Sequence, residues 1–192
     1  MKRRTLLLAA AAALAGCASA PRTGAGLPPR DQIRAFAIEA RFALRLEAPP
    51  GPARSASGRL SWRHDRSGDV IFLANPLGQG LAEIRRDPAG ATLRQSDGTV
   101  RQAADAATLL EDGTGYRLPL EHLPAWLLGR AGPDGWLERD PLGRPVALVE
   151  SGWQIGFGYA DDAPDALPAR LILTRPETME IRLHIESWEN LP

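Results

Sequence analysis

From Phe36 to Leu46 the even positions are Phe36, Ile38, Ala40, Phe42, Leu44 and Leu46, while the odd ones include Glu39, Arg41 and Arg45. Apolar residues at every second position put all of them on one side of a pleated strand, so this stretch predicts a long strand with one face in a core. The pattern returns at Leu60 and Trp62, at Ala82 and Ile84, and at Trp153, Ile155, Phe157 and Tyr159. It appears again at Ala169, Leu171 and Leu173, and at Met179, Ile181, Leu183 and Ile185. Turn-forming runs such as Pro49-Pro50-Gly51, Pro88-Ala89-Gly90 and Asp97-Gly98 separate many of these stretches. A chain of this kind folds mainly as antiparallel sheet.

Two central stretches break the alternation. Ala106, Leu109 and Leu110 follow Asp105, a residue suited to capping a helix, and Leu120, Leu123, Leu127 and Leu128 recur at helical spacing. The expected fold class is therefore mainly β with an α+β character: an incomplete antiparallel barrel whose short helices cover one opening. A filled core and a ligand cavity both fit this pattern.

The N-terminus carries an address. Met1, Lys2, Arg3 and Arg4 precede the apolar run Thr5 to Leu14 and the small residues Ala15 and Gly16, the three-part plan of a secretory signal peptide. The apolar stretch is shorter than the roughly 20 residues that span a bilayer. Leu14-Ala15-Gly16-Cys17 looks like a bacterial lipobox, so residues 1–16 are expected to be removed and Cys17 to carry diacylglycerol and an N-acyl chain. Cys17 is the single cysteine, and an internal disulfide is excluded. Ala18, where inner-membrane lipoproteins often carry Asp, favours sorting to the periplasmic face of the outer membrane.

Residues 17–30 are small and rich in Pro and Gly, the composition of a flexible tether, and the folded domain is expected over residues 31–192. The mature chain of about 176 residues has the size of one domain, with 20 basic against 23 acidic residues and no basic run to bind nucleic acid.

Asn75-Pro76-Leu77-Gly78 follows the apolar strand Asp69 to Ala74 and fits a type I turn with Leu77 at its tip. Taken alone, such a leucine more often folds back onto its own sheet than serves as a hydrophobic finger. Trp62, Trp126, Trp136, Trp153 and Trp188 suit either a packed core or walls for acyl chains. His64, His122 and His184 lack metal-ligand spacing, and His184 falls on a polar strand face. Asp161, Asp162 and Asp165 read as a solvated loop, and no metal site is expected. No nucleophile with a base and an orienting group can be assembled, and no nucleotide-binding loop occurs, so no enzyme is expected.

Together these residues resemble the LolB family of outer-membrane lipoprotein receptors. The resemblance runs from the lipobox through Asn75-Pro76-Leu77-Gly78 and Leu118-Pro119-Leu120 with Leu123, Trp126, Leu127, Leu128 and Gly129. It ends on Trp153-Gln154-Ile155, Leu167-Pro168-Ala169 and Trp188. The first strand reads Glu39-Ala40-Arg41-Phe42, without the glycine expected near Arg41, and the tether is short. What the resemblance implies is a LolA/LolB-like fold, a hydrophobic cavity and no catalysis. The protein would accept cargo lipoproteins from the periplasmic carrier LolA and insert them into the inner leaflet of the outer membrane without ATP, its only non-protein groups being the lipid on Cys17. Leu77 would act at the membrane-transfer step, which reverses the reading of that residue taken alone. Alternation and the resemblance nominate Phe36, Ile38, Phe42, Leu44, Leu60, Trp62, Ile155, Phe157, Leu171, Leu173, Ile181 and Leu183 as cavity lining, with Leu123 and Leu127 as lid. A monomer suits transfer by contact with a carrier. Two other readings share these features: a lipoprotein binding another lipid or amphiphile, and a structural or assembly lipoprotein with a filled interior.

Overall fold

The computed structural model describes residues 27–47, 50–114 and 117–191. The expected signal peptide, Cys17 and residues 18–26 of the expected tether lie outside them. The strands are β1 (Phe36–Leu46), β2 (Arg54–Asp65), β3 (Gly68–Ala74), β4 (Gly80–Asp87), β5 (Gly90–Gln95) and β6 (Val100–Ala103). Helices α1 (Ala106–Thr114) and α2 (Leu123–Leu127) follow, and then β7 (Trp136–Arg139), β8 (Pro145–Glu150), β9 (Trp153–Gly158), β10 (Arg170–Arg175) and β11 (Met179–Asn190).

All eleven strands form one antiparallel sheet in the order β6-β5-β4-β3-β2-β1-β11-β10-β9-β8-β7. Every neighbour in the sheet is a neighbour in sequence except β1 and β11, where the two ends of the domain meet. The sheet stays open, because β6 and β7 are not paired with each other, and the two helices lie in the connection between them. This is the expected half-barrel.

Alternation predicts the core well. Phe36, Ile38, Ala40, Leu60, Trp62, Ile71, Ile84, Leu93, Leu148, Trp153, Ile155, Leu171, Leu173 and Leu183 are buried on one face together with Leu109, Trp126 and Leu127 of the helices. One β-bulge changes the phase: the register of β1 on β11 passes from Glu39↔Ser187 to Ala40↔Ile185, so one extra residue enters β11. Beyond it Trp188 pairs with Ile38 and returns to the inner face, where its ring meets Phe36 at 5.3 Å between centroids.

The start of α1 and the end of α2 have local causes. Asp105 caps α1 by accepting the Thr108 N–H at 2.7 Å. After α2 the Gly129 N–H donates to the Trp126 carbonyl (2.8 Å) and the Arg130 N–H to that of Ala125 (2.9 Å), a left-handed helix stop with Gly129 at φ +65°. A Cβ on Gly129 would come within 2.3 Å of Pro145 Cγ. The Gly129→Ala variant is expected to lose about 2 kcal/mol or more of stability in urea denaturation, since both the φ angle and the contact oppose it.

One carboxylate is built into the inner face. Asp69 is only 4% exposed. Its Oδ1 accepts the Trp62 Nε1–H at 2.8 Å and lies 2.8 Å from His64 Nδ1, while Oδ2 accepts the Arg86 Nε–H at 2.7 Å. Burial by itself would raise this carboxyl's pKa, but the hydrogen bonds from His64, Trp62 and Arg86 and the charge of Arg86 outweigh it and hold the value below 3.8. A depressed carboxyl stabilises the fold fully above its unfolded value and loses that contribution as pH falls through the folded one. The urea midpoint is therefore expected to fall on acidification from pH 5 to below 3.8, and Asp69→Asn to flatten that part of the curve.

Candidate functional site

The loop between β3 and β4 is held by one side chain. Asn75 Oδ1 accepts the Leu77 N–H at 2.9 Å and the Gln79 N–H at 3.0 Å, while Asn75 Nδ2 donates to Gln79 Oε1 at 3.2 Å. The Gly78 N–H closes the β-turn onto the Asn75 carbonyl at 2.9 Å, and the Asn75 N–H closes the loop onto the Gln79 carbonyl at 2.8 Å. Gly78 sits at φ +88°, a backbone region in which L side chains are strained. Pro76 pre-sets the turn. Leu77 is thereby held 94% exposed instead of folding back onto the sheet.

The foot of this loop is apolar as well, and alternation does not reveal it. Phe72 and Leu81, 43% and 44% exposed, lie on the outer face of β3 and β4 beside the loop. Val70-Ile71-Phe72-Leu73 is a continuous apolar run, and the signal that β3 carries apolar residues on both faces lies in that absence of alternation.

The residues nominated for a cavity share the inner face. Phe36, Ile38, Leu60, Trp62, Leu127, Ile155, Leu171, Leu173 and Leu183 are packed in the core, and most of them have almost no surface open to water. Phe42, Leu44, Leu123, Phe157 and Ile181 are only partly buried and pack against its margin. In this form the inner face is occupied by its own side chains and by the helices. Two open clefts, about 600 and 400 Å³, are lined by charged and polar side chains interleaved with apolar ones, and of the nominated set only Leu44 reaches one of them.

The clamp on α2 is a second feature missed in the sequence. Trp126 stacks on His122 at 5.5 Å and tilts against Trp153 at 6.1 Å. Its Nε1–H donates to Glu150 Oε2 at 3.0 Å, and the same oxygen accepts the Gly132 N–H at 2.9 Å. His122 Nδ1 lies 3.3 Å from Glu150 Oε1. Glu150, 7% exposed at the end of β8, thus ties helix, loop and sheet together. As a lone acid at a strand end it gives no sequence signal.

His184 is exposed on the outer face, and Asp161 and Asp162 are exposed in the loop after β9. Among the described residues no group of His, Cys, Asp and Glu has metal-ligand geometry, and no helix is long and apolar enough to cross a membrane.

The family model for Outer membrane lipoprotein LolB matches residues 34–188. The chain belongs to the LolB family of outer-membrane lipoproteins. An outer-membrane lipoprotein LolB from Dechloromonas aromatica is 47% identical over 192 residues, covering all of both chains. Another from Thiobacillus denitrificans is 35% identical over 195 residues, again covering all of both. Among solved structures, a DUF1329 family protein from Desulfovibrio piger superposes with a TM-score of 0.51 at 9% identity, covering 84% of this chain and 87% of its own, a likeness of fold alone. LolB membership places the chain among outer-membrane lipoproteins, with the mainly β half-barrel observed here.

Two variants separate the tip from the clamp. Glu150→Ala strands the buried Trp126 and Gly132 donors and is expected to lower stability by about 2–4 kcal/mol. Leu77→Glu changes no packed contact and is expected to stay within about 0.5 kcal/mol of the parent in the same urea titration.

Proposed function

We propose that this protein receives lipoproteins from the periplasmic carrier LolA, shelters their acyl chains on the concave face of the half-barrel, and releases them into the inner leaflet of the outer membrane. The observation that carries the reading is Leu77, kept 94% exposed at the end of a loop whose own hydrogen bonds stop it from folding back. A bare leucine on a preorganised turn is suited to insertion among lipid chains. Cys17, cut free from residues 1–16, would carry the diacylglycerol and N-acyl groups that hold the protein at the membrane.

Energetics favour a closed resting form that opens on loading. Each CH₂ buried is worth about 0.8 kcal/mol, so one acyl chain contributes on the order of 10 kcal/mol. Exposing a buried leucine or comparable side chain costs about 1.5–3 kcal/mol. Counted from water, burial of the first chain is of the same order as the cost of lifting Leu109 of α1 and Trp126 and Leu127 of α2. No nucleotide is required, because transfer runs downhill from carrier to receptor to bilayer. The protein acts as a monomer with no chemical step of its own.

Transfer of a purified triacylated lipoprotein from its carrier tests this reading. The wild-type protein is expected to accept the cargo and pass it to liposomes, whereas Leu77→Glu accepts it and delivers at least tenfold less, the leucine tip having been replaced by a charge costly to insert in lipid. Failure of the wild type to take any cargo would overturn the receptor reading and leave binding of another amphiphile or an assembly role.

A further inference from the structure

The cleft of about 600 Å³ lies where the described chain enters the domain, away from the Leu77 loop. Four guanidinium groups line it, Arg30, Arg34, Arg130 and Arg139, against two carboxylates, Asp31 and Asp165. This excess of positive charge stands on a chain that carries more acid than base after Cys17.

None of the four arginines is held by a carboxylate among the described residues. Arg130 donates to the carbonyl of Ile33 at 2.7 Å and to that of Arg30. Arg30 donates to Tyr159 Oη at 3.2 Å and to the Pro164 carbonyl at 3.0 Å. Arg34 donates to the carbonyls of Asp31 and Ile33, and Arg139 to that of Gly143 at 2.7 Å. Neutral carbonyls orient these side chains without cancelling their charge. A guanidinium has five N–H donors, so each keeps donors for a ligand.

The charges also oppose one another. Arg130 is half-buried, and its burial followed by the positive charge of Arg34 draws its pKa below the usual arginine value, with Asp31 opposing the change. Arginine remains charged regardless. The fold thus maintains a positive concavity whose internal repulsion an anion would relieve. Planar guanidinium forks match the oxygens of a phosphate, and the apolar Leu128 and the prolines of the wall suit the carbon attached to it.

We propose that this cleft binds a phosphate-bearing anion, supplied by a phospholipid headgroup or free in solution. The membrane is within reach: Cys17 lies 13 residues before Arg30, a span of at most about 47 Å for an extended chain. The inference is independent of lipoprotein transfer and would survive its failure.

Phenylglyoxal, which modifies exposed guanidinium groups, reads the site directly when the labelled residues are identified by mass spectrometry. Arg34 and Arg139 are exposed and so can be labelled, with Arg66 and Arg175 as exposed controls outside the cleft. The full chain is labelled in a non-ionic detergent with inorganic phosphate or with chloride at matched ionic strength. It is then labelled again in vesicles of a phosphate-free galactolipid or of phosphatidylglycerol. With phosphate at ten times its Kd, Arg34 and Arg139 are expected to react about tenfold more slowly, and the controls to keep their rates. Protection in phosphatidylglycerol vesicles as well identifies the headgroup as a source; protection by inorganic phosphate alone identifies the free anion. Equal slowing of the controls, or no protection by either form, overturns the proposal.

A second measurement does not depend on labelling. Phosphate is expected to raise the melting temperature of the wild type above its value in chloride. The doubly substituted Arg34→Gln, Arg139→Gln chain is expected to melt as the wild type does in chloride and to lose the phosphate increment. An increment that persists in that variant also overturns the site. Arg130 is left intact because it ties Ile33 to the end of α2.

Discussion

Because β1 pairs with β2 along one edge and with β11 along the other, the first strand of the domain is also its centre. Everything in the sheet is laid outward from that seam, β2 to β6 on one side and β11 back to β7 on the other. Closing it brings together residues about 150 positions apart, yet loop-closure entropy grows only logarithmically with length. The return comes from two ladders on one strand and from an aromatic cluster at one end of them. Phe36 lies 6.1 Å from Trp62, 5.3 Å from Trp188 and 5.2 Å from His64. The long strands thus lie at the middle, while the two open edges fall to four-residue strands, β6 and β7, which offer little unpaired backbone to another chain.

A face this apolar would close on itself without choosing a register, and the buried acids supply constraints that apolar contacts lack. Asp69 joins β2, β3 and β4 through Trp62, His64 and Arg86, and Glu150 joins β8 to α2 and the following loop through Trp126 and Gly132. Among the described residues no buried side-chain nitrogen or oxygen is left without a partner. Each acid lies on a different arm of the sheet. A slip of either arm by one residue would turn its carboxylate away from these donors, at a cost far above that of misplacing one methyl group.

The long strands and their faces were legible because alternation is a direct image of one-sided burial, as in β1, β9 and β10. Strands β6 and β7 have four residues each and only partial burial, so little hydrophobic constraint reaches their sequence. The Asp105 cap and the Asn75-Pro76-Leu77-Gly78 turn were legible because their chemistry is local, involving bonds within a few residues. The roles of Asp69, Glu150 and the four arginines of the cleft were not, since each depends on partners brought together by the fold. The bulge that returns Trp188 to the inner face belongs with them, because it shows only once β11 is aligned on β1.

The conformation of Leu77 is the clearest conflict between local and global preference in the molecule. A leucine released from water gains about 1.5–3 kcal/mol, and partly exposed Phe72 and Leu81 beside the loop offer it somewhere to go. It stays out because turning inward would break the Asn75 bonds to the Leu77 and Gln79 amides and move Gly78 from its left-handed geometry. Two or three hydrogen bonds at about 1 kcal/mol each are of the size needed to hold it there. The same balance implies that the tip is poised and not locked. A lipid phase that accepts the leucine where it stands satisfies both preferences at once, and no rearrangement of the sheet is needed to present it.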